Sequence, residues 1–189
     1  LGLPDQNRPL PLLRAGLEAL SENLREQRPC RVRGGGQVSF RRTGFQPTSP
    51  QCIVFDMDDV LCKYDPEVTL RDAHTFAPRV DMVKLAKSAK KYGLDVVVAT
   101  ARRSFHQWKT WRWLEAQGLE VNAAYHRVGD STQTSSEAKR DMLQHIQKTW
   151  DVVAFYDDSP FNVAVACELG ILGVQVPGNE AFWAERGDT

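Results

Sequence analysis

The chain has 189 residues, 42% hydrophobic and 25% charged, with a formal net charge of zero. That length suits one medium domain with an appendage, and the composition excludes extensive disorder and any partner recruited by bulk charge alone. No apolar run approaches the length of a bilayer and the first residues lack a signal-peptide core, so a cytoplasmic protein is expected, with no membrane partner.

Residues 1–50 form one unit of the expected organisation and residues 51–189 the other. The first is locally basic: eight Arg stand against four acids. Leu13, Leu17, Leu20 and Leu24 recur at helical spacing, which predicts an amphipathic helix over 10–27, ended by Pro29. Residues 31–50 are rich in Arg, Gly and Pro and predict a linker or extended arm, with one short strand near 38–42. The four cysteines, Cys30, Cys52, Cys62 and Cys167, show no CxxC spacing. Free thiols in a reducing compartment are expected, with no disulfide-linked partner and no zinc site.

From residue 51 apolar strands alternate with helices. Cys52 to Phe55 predicts a buried strand. Met82, Leu85, Ala86 and Ala89 predict a helix that Gly93 closes. Leu94 to Ala99 predicts the next strand, and a helix follows over 104–117. Another helix spans 134–149, opened by a Thr134-x-x-Glu137 capping box. A strand over 152–156, a helix over 160–169 and a strand over 173–176 complete the pattern. Unbroken apolar strands between helices imply an α/β, Rossmann-like parallel sheet covered on both faces. In such a sheet the ligand site lies beyond the carboxyl ends of the strands.

Those ends carry the chemistry. Asp56-Met57-Asp58-Asp59 follows the first strand, Thr100-Ala101-Arg102-Arg103 the second and Asp157-Asp158 a later one, while Lys139 stands in the first turns of a helix. A phosphomonoester is doubly negative, so a carboxylate attacks it only where metal and cationic groups cancel the repulsion. Asp56 is the candidate nucleophile and Asp58 the candidate acid and base. Thr100 and Lys139 are candidates to hold the transferring group. Asp56, Asp58, Asp157 and Asp158 are candidate ligands of Mg²⁺, a cation of hard oxygen ligands. Arg102, Arg103 and Ser135 are candidate substrate contacts. Each residue alone has an ordinary reading as a loop acid, a helix cap or a solvated lysine. Their joint occurrence at successive strand ends is what points to phosphoryl chemistry.

Over residues 51–177 the sequence resembles the haloacid dehalogenase (HAD) phosphatases. Ile53 to Leu61 matches the first motif of that family, Val97 to Arg102 the second, Lys139 the third and Phe155 to Asp158 the fourth. The resemblance implies a phosphoric monoester hydrolase in which Asp56 is the nucleophile. It implies that Asp58 is the general acid and base and a metal ligand through its backbone carbonyl. Within the superfamily the chain is most similar to the 3′-phosphatase domain of bacteriophage-type polynucleotide kinases, on Thr100-Ala101-Arg102, Ser135 to Lys139 and Asp157 to Pro160. It departs from that pattern at Ser135, where an Asp is often found, and at Gln133, where an Arg is. No G-x-x-x-x-G-K-[ST] occurs, so no 5′-kinase is expected.

The intervals after Leu61 and after Gly118 are too short for an independent cap domain. An open site suits a large phosphorylated substrate that brings its own cover, such as a nucleic-acid end or a protein, and nucleic-acid 3′-phosphate ends or nucleotides are the expected substrates. Lys63, Tyr64 and Arg71 are candidates for a small flap. The segment 102–113 interleaves Arg102, Arg103, Lys109 and Arg112 with Phe105, Trp108, Trp111 and Trp113. It fits either a base-stacking surface or a helix with Phe105, Trp108 and Trp111 turned to the core. The alternatives are a phosphatase of a small metabolite or phosphoprotein, and a binding module without turnover. Intact Asp56 and Asp58 speak against the last.

Overall fold

The computed structural model describes residues 49–65, 68 and 70–178, so the expected helix over 10–27 and the arm after it lie outside the described residues. Five strands line up as one parallel sheet: β1 (Gln51–Phe55), β2 (Asp95–Arg103), β3 (Ala123–Arg127), β4 (Asp151–Asp157) and β5 (Leu172–Gln175). Their order across the sheet is β3-β2-β1-β4-β5. The connecting helices are α1 (Val80–Lys91), α2 (Gln107–Ala116), α3 (Ser135–Ile146) and α4 (Pro160–Glu168), with 3-10 turns at Leu70–Thr75 and Ser104–His106. This is the α/β, Rossmann-like HAD fold.

Side chains on β1 and β2 alternate between two apolar layers, as the pleat requires. Ile53, Phe55, Val96 and Val98 pack with Met82, Val83 and Ala86 of α1 and with Trp113 and Leu114 of α2. Cys52, Val54, Val97 and Ala99 pack with Ala138, Met142, Leu143 and Ile146 of α3 and with Val165 and Ala166 of α4. Both faces of the central strands are dry, which is why their sequences are unbroken runs of apolar residues. Truncating the fully buried Leu143 to Ala costs about 2–5 kcal/mol.

Local signals set the helix ends. Gly93 takes φ +77 after α1, and its N–H and that of Leu94 return to the Lys90 and Ala89 carbonyls. A side chain is disfavoured in that left-handed conformation and glycine is not. At α3, Thr134 accepts from the Glu137 N–H while the Glu137 carboxylate accepts from the Thr134 N–H, the expected capping box. Among the described residues no helix is long and apolar enough to cross a membrane. Cys52 and Cys62 are buried free thiols.

Three boundaries differ from expectation. β2 runs on to Arg103, so Thr100-Ala101-Arg102 belongs to the strand, with an irregular register between Thr100 and Arg103. The interval after Gly118 holds β3, a half-buried edge strand whose Ala-Ala-Tyr-His-Arg sequence lacks the valine-rich signature of its neighbours. The helix expected over 104–117 divides into a 3-10 turn and α2.

Candidate active site

β1 and β4 are neighbours, with Phe55 opposite Tyr156 in register. The next residues are Asp56 and Asp157, so two carboxylates leave the sheet side by side. The Asp56 N–H still donates to the Tyr156 carbonyl at 2.9 Å. Succession across the sheet reverses here, β1 leading to β2 and β3 on one side and β4 to β5 on the other. Such a switch point opens a crevice at the carboxyl ends.

Lys139 reaches this point from α3. It is fully buried, with Nζ 2.6 Å from Asp56 Oδ1 and 2.9 Å from Asp157 Oδ2. It also donates to the Ala99 carbonyl at 2.6 Å, so one ammonium ties α3 to β1, β2 and β4. Burial opposes its charge, but Asp157 and Asp56 outweigh that and hold its pKa above the ordinary value. Asp157 accepts further from the Ser159 N–H at 2.9 Å and from Asn162 Nδ2 at 3.0 and 3.1 Å. Three donor groups thus converge on that carboxylate.

Asp56 is less well served. Burial pushes its carboxyl well above the usual range, Lys139 works against the rise, and Asp157, Asp58 and Asp158 reinforce it. Its Oδ1 contacts the lysine yet receives no directed hydrogen bond. Ligand oxygens of Asp56, Asp157 and Asp158 all lie within 4.8 Å of one another. Three buried acids thus share this corner, two of them in contact with the one lysine.

Asp58 stands on the other flank. Arg102 grips it through two nitrogens, Nε to Oδ2 at 2.8 Å and one terminal nitrogen to Oδ1 at 2.5 Å. Burial works against the guanidinium's charge, and Asp58 more than restores it. Phe76 lies under the guanidinium, 5.5 Å from ring centre to Cζ. The Cys62 thiol is 3.5 Å from Asp58 Oδ1. Arg102 therefore sits on a carboxylate instead of facing outward.

The remaining candidates are placed as follows. Thr100 is buried, and its Oγ1 accepts from the Arg102 N–H at 3.2 Å. Ser135, in the first turn of α3, is buried and accepts from Asn162 Nδ2 at 3.4 Å. Arg103 is half-buried and donates to the Gly129 carbonyl at 2.5 Å. Of the expected flap, Lys63 and Tyr64 are exposed, and for Arg71 only the backbone is described.

Sequence reasoning missed three participants. Asn162 braces Asp157, and its only signal was its place in the first turn of the helix after Asp157-Asp158. Arg79 donates to the Asp59 carbonyl at 2.6 Å and the Pro177 carbonyl at 2.5 Å, joining the loops after β1 and β5. Gly178 packs so closely that a Cβ there would stand 2.6 Å from Asp158 Cβ.

Comparison with known proteins agrees with this layout. Residues 50–181 match the family described as the polynucleotide kinase PNKP phosphatase domain. The chain belongs to that family. It is an HAD-superfamily phosphatase domain similar to the PNKP phosphatase. No curated protein matches it. Among solved structures, the chain is similar to one in the Pnkp1/Rnl/Hen1 RNA repair complex, at 19% identity and a TM-score of 0.66, over 91% of this chain and 58% of that one. A second structure of a Pnkp1/Rnl/Hen1 complex gives 19% and 0.65, over 74% and 52%. The chain thus spans little more than half the length of these relatives. The D,D-heptose 1,7-bisphosphate phosphatase of B. bronchiseptica, complexed with magnesium and phosphate, matches at 17% and 0.52, over 74% and 88%.

Proposed function

We propose that this domain hydrolyses phosphomonoesters with the help of Mg²⁺, forming an aspartyl-phosphate on Asp56, and that its substrate is a nucleic-acid 3′-phosphate end. The observation that carries the reading is the contact of buried Lys139 with both Asp56 and Asp157 at the junction of β1 and β4.

The donor set fits a hard divalent cation. Three carboxylates converge, and one buried oxygen, Asp56 Oδ1, has no directed hydrogen bond. Asp56, Asp157 and Asp158 would hold Mg²⁺, with Asp58 offering its backbone carbonyl. The cation would supply charge neutralisation for the phosphoryl oxygens.

A carboxylate oxygen of Asp56 attacks phosphorus, and the bond from phosphorus to the ester oxygen breaks. Lys139 stays in place throughout, holding Asp56 in aim and offsetting the charge of the transferring group. The Thr100 hydroxyl already accepts from the Arg102 N–H and keeps its own proton for a phosphoryl oxygen. Asp58 gives the departing oxygen its proton. It then takes one from the water that attacks phosphorus in the second step, which releases phosphate and restores the Asp56 carboxylate. Arg102 orients Asp58 for both steps and Arg103 stands nearby, and Ser135 contributes through Asn162 to the placement of Asp157.

The 3′-end assignment rests on family membership and on the intervals around the site. Between β1 and α1 the described residues hold one 3-10 turn and no further domain. The test is phosphate release with Mg²⁺ from a 3′-phosphorylated oligonucleotide, beside its 5′-phosphorylated counterpart, mononucleotides and p-nitrophenyl phosphate, each against Asp56→Asn. Preference for the 3′ end with a dead Asp56→Asn is expected. Turnover of the generic ester alone would keep the mechanism and remove the polynucleotide assignment, and full activity in Asp56→Asn would remove the mechanism.

A further inference from the structure

α2 keeps its largest rings outside. Trp108 is 52% exposed, Trp111 42%, and Phe105 in the turn before it 57%. Trp113 and Leu114 do the packing instead, and Trp113 anchors its indole N–H on the Phe76 carbonyl at 2.7 Å. Of the two readings of this segment, the one that turns Phe105, Trp108 and Trp111 into the core is overturned. Trp108 and Trp111, three apart on α2, are neighbours on its surface and climb roughly 4.5 Å along its axis at 1.5 Å per residue, with Phe105 in the 3-10 turn before them. That rise is a little more than one base step of about 3.4 Å. Grouped exposed aromatics on a small domain are uncommon without an occupant.

The row begins beside the reacting groups. Trp108 lies against His74 with ring centres 6.1 Å apart. Two residues on, Phe76 is the ring beneath Arg102, the partner of Asp58. Tyr64, 41% exposed, meets the same Phe76 edge-on at 5.8 Å, and its N–H is held by Asp59 Oδ1 at 3.0 Å. Exposed rings thus flank residues 74–76 from two sides.

Within the segment itself the charge is of one sign, while Asp72 in the turn packed on α2 and Asp59 beside Tyr64 border it. No Asp or Glu occurs from Val96 to Leu114, a span with four Arg or Lys. Arg112 is exposed beside Trp111, and Lys109 Nζ lies 5.4 Å from the Trp108 ring centre. A ring row bordered by cations and continuous with a phosphate-handling site matches a strand that presents bases and phosphates together.

We propose that Tyr64, Trp108 and Trp111 form a stacking rim for the unpaired bases leading into a single-stranded nucleic-acid end, with Arg112 on its backbone. The rim rests on the phosphatase reading above for the place of the terminal phosphate, at Asp56. Bases within a blunt duplex are already stacked and cannot lie on these rings, so the rim selects single-stranded ends.

The test separates binding from turnover. A short thymidine single strand with a 5′ fluorophore and a 3′-hydroxyl is titrated with the full chain and followed by anisotropy. Trp108→Ala and Trp111→Ala should each weaken binding about ten-fold, equivalent to ~1.4 kcal/mol, while Trp108→Phe stays near the wild type. Hydrolysis of p-nitrophenyl phosphate, which offers no base, should be kept in all three. Absent binding, or binding equal in wild type and Ala variants, overturns the rim, as does an equal loss on p-nitrophenyl phosphate. A wild-type dimer that Trp111→Ala dissociates also overturns it, since the rings would then cover a second copy. Rim-dependent binding without release of a 3′-phosphate would sink the proposed reaction and leave the rim standing. Release that the Ala variants do not slow would do the reverse.

Discussion

Arg102 holds Asp58 with a two-pronged grip across the mouth of the site, Nε on one carboxylate oxygen at 2.8 Å and a terminal nitrogen on the other at 2.5 Å. A planar fork meeting a carboxylate in this way fixes the position and the rotation of the acid together. Arg102→Lys keeps the charge and loses the fork, so it should not rescue. Both Arg102→Lys and Arg102→Ala should lower kcat about 100-fold, the scale of an ångström-sized misplacement. Steady-state kinetics with melting curves checks this. A Lys variant at wild-type kcat would show that charge alone suffices.

Lys139 touches Asp56, Asp157 and a backbone carbonyl with no exposure at all. Lys139→Ala strips the contacting ammonium from two buried carboxylates. Breaking such a pair costs about 3–5 kcal/mol, so urea unfolding should show a lower midpoint together with lost turnover.

Mg²⁺ should stabilise the fold without any substrate. At a hundred-fold excess over Kd the gain is about 2.7 kcal/mol, visible as a rise in Tm that EDTA reverses. Asp158→Asn should flatten the response. Gly178→Ala should weaken it as well, because the new Cβ would stand 2.6 Å from Asp158 Cβ and 2.8 Å from its Oδ2. A full Mg²⁺ response in Asp158→Asn would place the cation elsewhere.

His126 on β3 sets an acid limit. Burial first and the Arg102 cation second lower its pKa from 6.5 to about 4. As pH falls through 6.5 the unfolded chain takes up a proton that the folded imidazole refuses until about 4. Stability is therefore lost between those values and unaffected by this group above them. Melting temperatures of His126→Gln should fall less steeply than those of the wild type from pH 6.5 to 4. Parallel curves would remove His126 from the account.

Much of this was legible because the candidate residues sit where strands end. Asp56, Thr100 and Asp157 each follow a run of buried residues, and Thr134 with Glu137 announces the helix that delivers Lys139. β3 was not legible. Its sequence carries no period, and it becomes a strand only because β2 presents an open edge. Asn162 and Arg79 escaped for a similar reason, since a single polar residue forms no pattern until folding brings its partner near. Arg102 was expected at a strand end as a substrate contact, and its partner Asp58 lies 44 residues away, where no spacing rule links them. At α2 helical spacing alone left two orientations open, and burial of Trp113 and Leu114 decides between them.

The proposed nucleophile is also a rung of the central ladder, since the Asp56 N–H closes on the Tyr156 carbonyl. Its backbone is released only when β1 and β4 part, and that is unfolding of the whole domain and not a local breath. The carboxylate proposed to attack therefore has no loop with which to search for its target. Deuterium should enter the Asp56 amide among the last in the protein, and any adaptation between enzyme and ester has to come from the substrate and the surface loops that receive it.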